Sequence, residues 1–199
     1  ISLKNLKAAT APFYDRWSEE RFQELARRFE LPLDKKFKKL SHGTKTKFAL
    51  ALALSHGAEL VILDEPTSGL DPVVRRELLD ILAGLLQDER VAVLFSTHIT
   101  ADLERTADFV TFLNEGRVVF SQPKDDVLGS WGVVKGGREL LDAESRVLFD
   151  GVRVREHGFE ALTSRIPEAR RMFGDRVVID RASLDDIMVL MTKGERHAA

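Results

Sequence analysis

Hydrophobic positions follow a helical rhythm at the start of this chain, switch to short solid runs near residue 60, and become scattered beyond residue 130. In the first stretch Phe22, Leu25, Ala26 and Phe29 recur at i, i+3, i+4 and i+7, the spacing of one buried helix face. Ser18 followed by Glu19-Glu20 marks where that helix begins, because a hydroxyl caps free N–H groups and acidic side chains suit the first turn. Leu31-Pro32 is expected to end it, since proline cannot continue a helix. Phe13 to Arg16 reads as a turn. Lys35, Lys36, Lys38 and Lys39 form a basic run, either a solvated face leading into a loop or a contact for phosphate or a partner. Ser41 then precedes Lys45 to Ser55, an Ala/Leu-rich helix that Gly57 closes.

Leu60-Val61-Ile62-Leu63 and Val91-Ala92-Val93-Leu94-Phe95 are unbroken apolar runs, which predict strands buried on both faces of a parallel sheet. Between them Pro72 to Leu86 is helical, with Leu78, Leu79, Leu82 and Leu85 on one side; Ala101 to Ala107 is a further short helix. The order helix, strand, helix, strand predicts an α/β layer. Phe109 to Leu113, the turn Asn114-Glu115-Gly116 and Arg117 to Phe120 form a hairpin signal. Past residue 130 the reading is sparser: short strands at Arg146 to Phe149 and Val177 to Ile179, and a turn at Val134-Lys135-Gly136-Gly137. A last helix starts at Ser183-Leu184-Asp185-Asp186 with Leu184, Ile187, Met188 and Met191 inward.

Composition narrows the classes. The 199 residues carry 30 Lys+Arg against 32 Asp+Glu, a formal charge of −2, which lacks the basic excess of a nucleic-acid binder. The absence of cysteine excludes a disulfide scaffold and thiolate metal or redox sites. No apolar run approaches the roughly 18 residues that cross a bilayer. The chain opens on Ile1 rather than Met, which suggests a piece of something longer.

Four features carry candidate chemistry. Leu40-Ser41-His42-Gly43-Thr44 stands at a helix start, where N–H groups, a hydroxyl and the positive end of the dipole make an anion site, or simply a cap. Asp64-Glu65 follow a buried strand and so reach the carboxyl edge of a parallel sheet, where ligands bind. A first carboxylate there suits a hydrated Mg²⁺, and a second could orient or deprotonate a water; the same pair could merely cap the turn that Pro66 enforces. Ser68-Gly69-Leu70-Asp71 comes next, and His98 follows the second strand as either a structural histidine or a phosphate contact.

In this order, residues Leu40 to His98 resemble the second half of an ABC-type ATPase, the nucleotide-binding subunit of ABC transporters. Leu40 to Thr44 resembles the LSGGQ signature, with His42 and Thr44 departing from the pattern. Leu60 to Glu65 resembles the Walker B strand and its glutamate, Ser68 to Asp71 the D-loop, and His98 the switch histidine. The C-terminal part and Ala11-Pro12-Phe13-Tyr14 are similar to bacterial exporter ATPases that pair with separate membrane subunits. The resemblance implies an α/β fold: the C-terminal portion of an ABC-type P-loop ATPase, helical subdomain plus partial parallel sheet, with a small α+β appendage. It divides the chain into 1–58, a helical signature subdomain, 59–129, the rest of the ATPase core, and 130–199, an accessory region. It implies that Asp64 holds Mg²⁺ through water, Glu65 is the general base, and His98 contacts the γ-phosphate. Ser41, Gly43 and Thr44 would meet ATP bound by the opposite subunit, and Asp71 would communicate across the dimer. The expected partners are a second ATPase subunit and a transmembrane permease, with the chain at the cytoplasmic face of the cell membrane and no nucleic acid involved.

No G-x-x-x-x-G-K-[ST] occurs in these 199 residues. The expectation is therefore a chain that begins just past the P-loop region, leaving an apolar sheet edge and face uncovered and the isolated polypeptide poorly soluble or molten. Two other readings stay open: a catalytically incompetent module that offers a signature face to a partner, and a non-transport ABC ATPase.

Overall fold

In the computed structural model, which describes residues 1–193, Ser2 caps the first helix, α1 (Leu3–Thr10), by accepting the Asn5 N–H. Ser18 does the same for α2 (Glu19–Arg28) through the Arg21 N–H at 3.1 Å. That helix stops short of Leu31-Pro32. Glu30 takes φ 54°, Leu31 N–H returns to Ala26 O at 2.9 Å and Glu30 N–H to Arg27 O at 3.1 Å. These two bonds close the helix as a Schellman motif before the proline is reached, which corrects the expected terminator. The next helix, α3 (His42–Leu54), starts earlier than its Ala/Leu run because Ser41 caps it.

Phe48, Leu50, Ala51 and Leu54 of α3 pack with Leu3, Phe22, Leu25 and Phe29 into one core, joined by Val61 of β1 (Leu60–Asp64) and by Leu78, Ile81 and Leu82 of α4 (Pro72–Leu85). β1 pairs in parallel with β2 (Ala92–Ser96), in register from Leu60 opposite Ala92 to Asp64 opposite Ser96. Side chains alternate along strands, so Val61, Leu63 and Val93 face this core while Leu60, Ile62, Asp64, Leu94 and Ser96 face the other way. On that second face Leu60, Ile62 and Leu94 are 54%, 67% and 61% exposed. The expectation of strands buried on both faces is thus corrected: helices cover one face of this two-stranded sheet, and no other described element of residues 1–99 covers the other.

These elements form one compact unit, Ile1–Ile99, and a second begins at Thr100. The second holds α5 (Thr100–Thr106) and an antiparallel hairpin, β3 (Phe109–Asn114) with β4 (Arg117–Pro123). Its turn residues Glu115 and Gly116 have φ 50° and 73°, the left-handed pair that matches strand twist. After α6 (Lys124–Ser130) come β5 (Gly132–Gly136), α7 (Ala143–Arg146), β6 (Gly151–Arg155), β7 (Gly158–Thr163), α8 (Ile166–Phe173), β8 (Val178–Arg181) and α9 (Leu184–Lys193). The four strands make an antiparallel sheet in the order β6-β7-β5-β8, a β-α-β-β-α-β arrangement. One face packs Val133 and Leu162 against Leu184, Ile187, Leu190 and Met191; the other packs Val134, Phe159 and Ala161 against Ala169 and Phe173.

Two details of this unit depart from the sequence reading. Val134 to Gly136 lie in a strand rather than a turn. Arg146 to Phe149 is not a strand, because Asp142 and Ser145 form a reciprocal capping box that opens α7 and leaves Val147, Leu148 and Phe149 in the following turn. Within this unit the hairpin and α6 share their core (Val110, Val127) with α9. The expected helix at Ser183 is present, with Ser183 and Asp186 capping each other. No helix among the described residues is long and apolar enough to cross a membrane.

Candidate active site

The chain bends sharply as it leaves β1. Glu65 takes φ 48° directly before Pro66, a region that non-glycine residues seldom enter and that a following proline disfavours further. The bend is held from both sides: Glu65 N–H donates to Ser96 O at 3.0 Å, and Ser68 N–H donates to Glu65 O at 3.1 Å. It aims the carboxylate at the loop after β2. Glu65 Oε1 accepts the His98 backbone N–H at 3.1 Å, and His98 Nδ1 lies 2.9 Å from the same oxygen. An ionised carboxylate only accepts, so Nδ1 is the donor there. Glu65 Oε2 is shielded from solvent and has no hydrogen-bond partner among the described residues. An unpaired carboxylate oxygen costs free energy until a donor reaches it, and a water held for attack is such a donor.

Asp64, one residue earlier, lies on the uncovered face of the sheet, and its Oδ1 accepts the Ser96 hydroxyl proton. Ser96 had no role in the sequence reading. The signal that could have found it is the parallel register: two strands of equal length that both end in polar residues set Ser96 level with Asp64.

The signature-like residues occupy the start of α3. Ser41 Oγ accepts the Thr44 N–H at 3.2 Å and lies 2.8 Å from Thr44 Oγ1, so both residues serve the cap. Gly43 is buried; a Cβ placed on it would lie 2.8 Å from Val74 Cγ1 and 3.3 Å from Leu70 Cδ2. Its small size is therefore required by packing against the D-loop-like segment, a duty the sequence reading did not find. Asp71 caps α4, accepting Val73 and Val74 N–H at 3.1 Å each. His42 is exposed and lines a groove of about 420 Å³ with Thr46 and Ala49 of α3, with His56 just past its end, and with Ile62, Asp64 and Glu65. The predicted residues thus gather into two clusters: Asp64, Glu65 and His98 at the strand ends, and Ser41, Gly43, Thr44 and Asp71 where α3 meets the start of α4.

Known proteins share parts of this chain. Over 88 residues, 44% of this chain and 38% of the relative, it is 36% identical to the lantibiotic transport ATP-binding protein SrtF of Streptococcus pyogenes. Over 87 residues, 44% of this chain and 28% of the relative, it is 37% identical to the bacitracin transport ATP-binding protein BcrA of Bacillus licheniformis. Its homologues are ABC transporter ATP-binding proteins. A solved structure of an ATP-binding subunit of an ABC transporter superimposes with TM-score 0.53 and 31% identity, covering 64% of this chain and 55% of the other. A dimeric ATP-binding cassette bound to ADP and Pi shares the fold at TM-score 0.52 and 22% identity, over 61% of this chain and 55% of its own. A family model described as "AAA domain, putative AbiEii toxin, Type IV TA system" matches residues 13–101, which include every residue of both clusters. The fold expected from the ABC resemblance, part of a P-loop ATPase of the α/β class, is the fold found. The chain spans less than half the length of curated ABC-type relatives such as these.

Proposed function

We propose that these residues are the signature- and Walker-B-bearing part of an ABC transporter's ATP-binding subunit, which couples ATP hydrolysis to export. One observation carries the reading: Glu65, bent out of β1, is anchored to His98 at the end of the neighbouring parallel strand, next to Asp64. Glu65 acts as the base toward the attacking water. His98 orients it and reaches the γ-phosphate.

Among the described residues there is no cluster of three or more metal-ligating side chains. One exposed carboxylate, Asp64, suits Mg²⁺ held chiefly through water and shared with ATP phosphates, and does not suit a cage made by protein alone. The Mg²⁺ supplies charge neutralisation at the phosphates when bound. With no G-x-x-x-x-G-K-[ST] in these residues, the phosphates of the ATP attacked by the water that Glu65 activates are cradled elsewhere, upstream in the same polypeptide or in a partner. Ser41, Gly43 and Thr44 face ATP held by a second ATPase subunit, and Asp71 lies at that dimer contact. A transmembrane permease is the second partner, which places the chain at the cytoplasmic face of the membrane. The names of the relatives, which include lantibiotic and bacitracin transport, support this assignment.

The test is ATP turnover by these residues joined to, or mixed with, a P-loop-bearing ABC segment. The proposal expects phosphate release well above that of the P-loop segment alone. If the mixture binds ATP and never turns it over, the signature-module reading takes its place; the missing P-loop motif is the observation that favours that second reading.

A further inference from the structure

We infer that Ser96 is a positioning residue that holds both carboxylate-bearing residues of the site, a role that rests on the ATPase reading above. Ser96 ends β2 level with Asp64 and on the same sheet face. Its hydroxyl donates to Asp64 Oδ1 and, as acceptor, receives the Glu65 N–H at 3.3 Å, beside the main-chain bond from that N–H to Ser96 O at 3.0 Å. A hydroxyl offers one proton and two lone pairs, so a single oxygen can serve both neighbours at once.

Both neighbours need the help. Asp64 sits on an exposed strand face, where its carboxylate would otherwise sample several rotamers and lose that freedom whenever it met a metal-bound water. Glu65 must keep φ 48° ahead of a proline, and the Ser96 bonds pin its amide while His98 pins its Oε1. Removing the hydroxyl releases Asp64 from one rotamer and leaves the Glu65 amide on the main-chain bond alone. Ser96 itself is exposed, so its truncation opens no cavity and changes stability little. Threonine keeps the hydroxyl and suits a strand.

The experiment compares wild type, Ser96→Ala and Ser96→Thr in the P-loop-complemented protein, reading kcat, KM for ATP, the Mg²⁺ concentration for half-maximal rate and the urea midpoint. The loss of a hydrogen bond to a charged group predicts that alanine lowers kcat roughly tenfold. It should also raise the Mg²⁺ requirement, leave KM within about twofold and leave the urea midpoint unchanged, while threonine restores most of the rate. Wild-type kcat and Mg²⁺ dependence in the alanine variant, or equal losses in alanine and threonine, overturn the inference. Should the wild-type assembly show no turnover, the ATPase reading is what fails. Three-bond couplings of Asp64 then decide the positioning claim: one χ1 rotamer in wild type and threonine with averaging in alanine supports it, and identical couplings in all three overturn it.

Discussion

Gly43 separates a packing role from a purely anion-binding one, and the structure sets the size of the effect. In Gly43→Ala the new methyl would lie 2.8 Å from Val74 Cγ1, 3.3 Å from Leu70 Cδ2 and 3.8 Å from Val74 Cβ. Val74 is β-branched and stiff, so the start of α3 must move away from α4. Overpacking of this kind costs about 1–3 kcal/mol. The better helix propensity of alanine returns up to about 1 kcal/mol, leaving a net loss near 1 kcal/mol. Gly84 in α4 is the internal control: it is exposed, and a Cβ there meets only Arg28 Nη2 at 3.7 Å. Gly84→Ala should therefore stabilise by about 0.5–1 kcal/mol. With urea m-values of about 1–3 kcal/mol/M, the two variants should move the midpoint in opposite directions and differ by about 1 M. Circular dichroism at equilibrium in urea reads both. A Gly43→Ala protein with a raised midpoint, matching Gly84→Ala, would refute the packing of α3 on the segment after Asp71.

The other predictions need only stability and association measurements. Glu30 is exposed and holds φ 54° at the end of α2, so Glu30→Gly should raise stability by about 0.5–1 kcal/mol in the same urea assay. Lys7, with help from Gln23 and Trp17, holds the Glu19 carboxyl below its ordinary value of 4.5. A lowered folded value means that this stabilisation is present above about pH 4.5 and is lost as pH falls through the folded value, so Glu19→Gln should flatten that part of the acid limb. The uncovered face at Leu60, Ile62 and Leu94 should drive self-association; sedimentation of Ile62→Lys with Leu94→Lys is expected to show a shift toward monomer, and an unchanged distribution would mean that the face is not the sticky surface.

Much of the first unit could be read in the chain because its signals are local. The i, i+3, i+4, i+7 row of Phe22, Leu25, Ala26 and Phe29 and the Ser18 and Ser41 caps give α2 and α3 directly. The solid apolar runs gave both parallel strands, but an apolar run does not say which of a strand's faces neighbours cover, and Ile62 and Leu94 are exposed. The second unit was harder. Its sheet pairs β5 with β7 and β8 across long separations, and strands such as Gly132-Val133-Val134-Lys135-Gly136 begin and end in glycine, which reads as turn chemistry. At the site, Asp64, Glu65 and His98 stood out by motif order. Their mutual geometry did not, because it depends on a left-handed glutamate and on the register that brings Ser96 alongside.

The central claim is that Glu65, oriented by His98, is the base for ATP hydrolysis. Single-turnover hydrolysis of ATP by the P-loop-complemented protein and its Glu65→Gln variant, with nucleotide binding measured in parallel, tests it most directly. The expected result is a rate lowered by roughly 10²–10⁴ with ATP still bound, the usual worth of a positioned general base. Equal single-turnover rates in the two proteins would contradict the account.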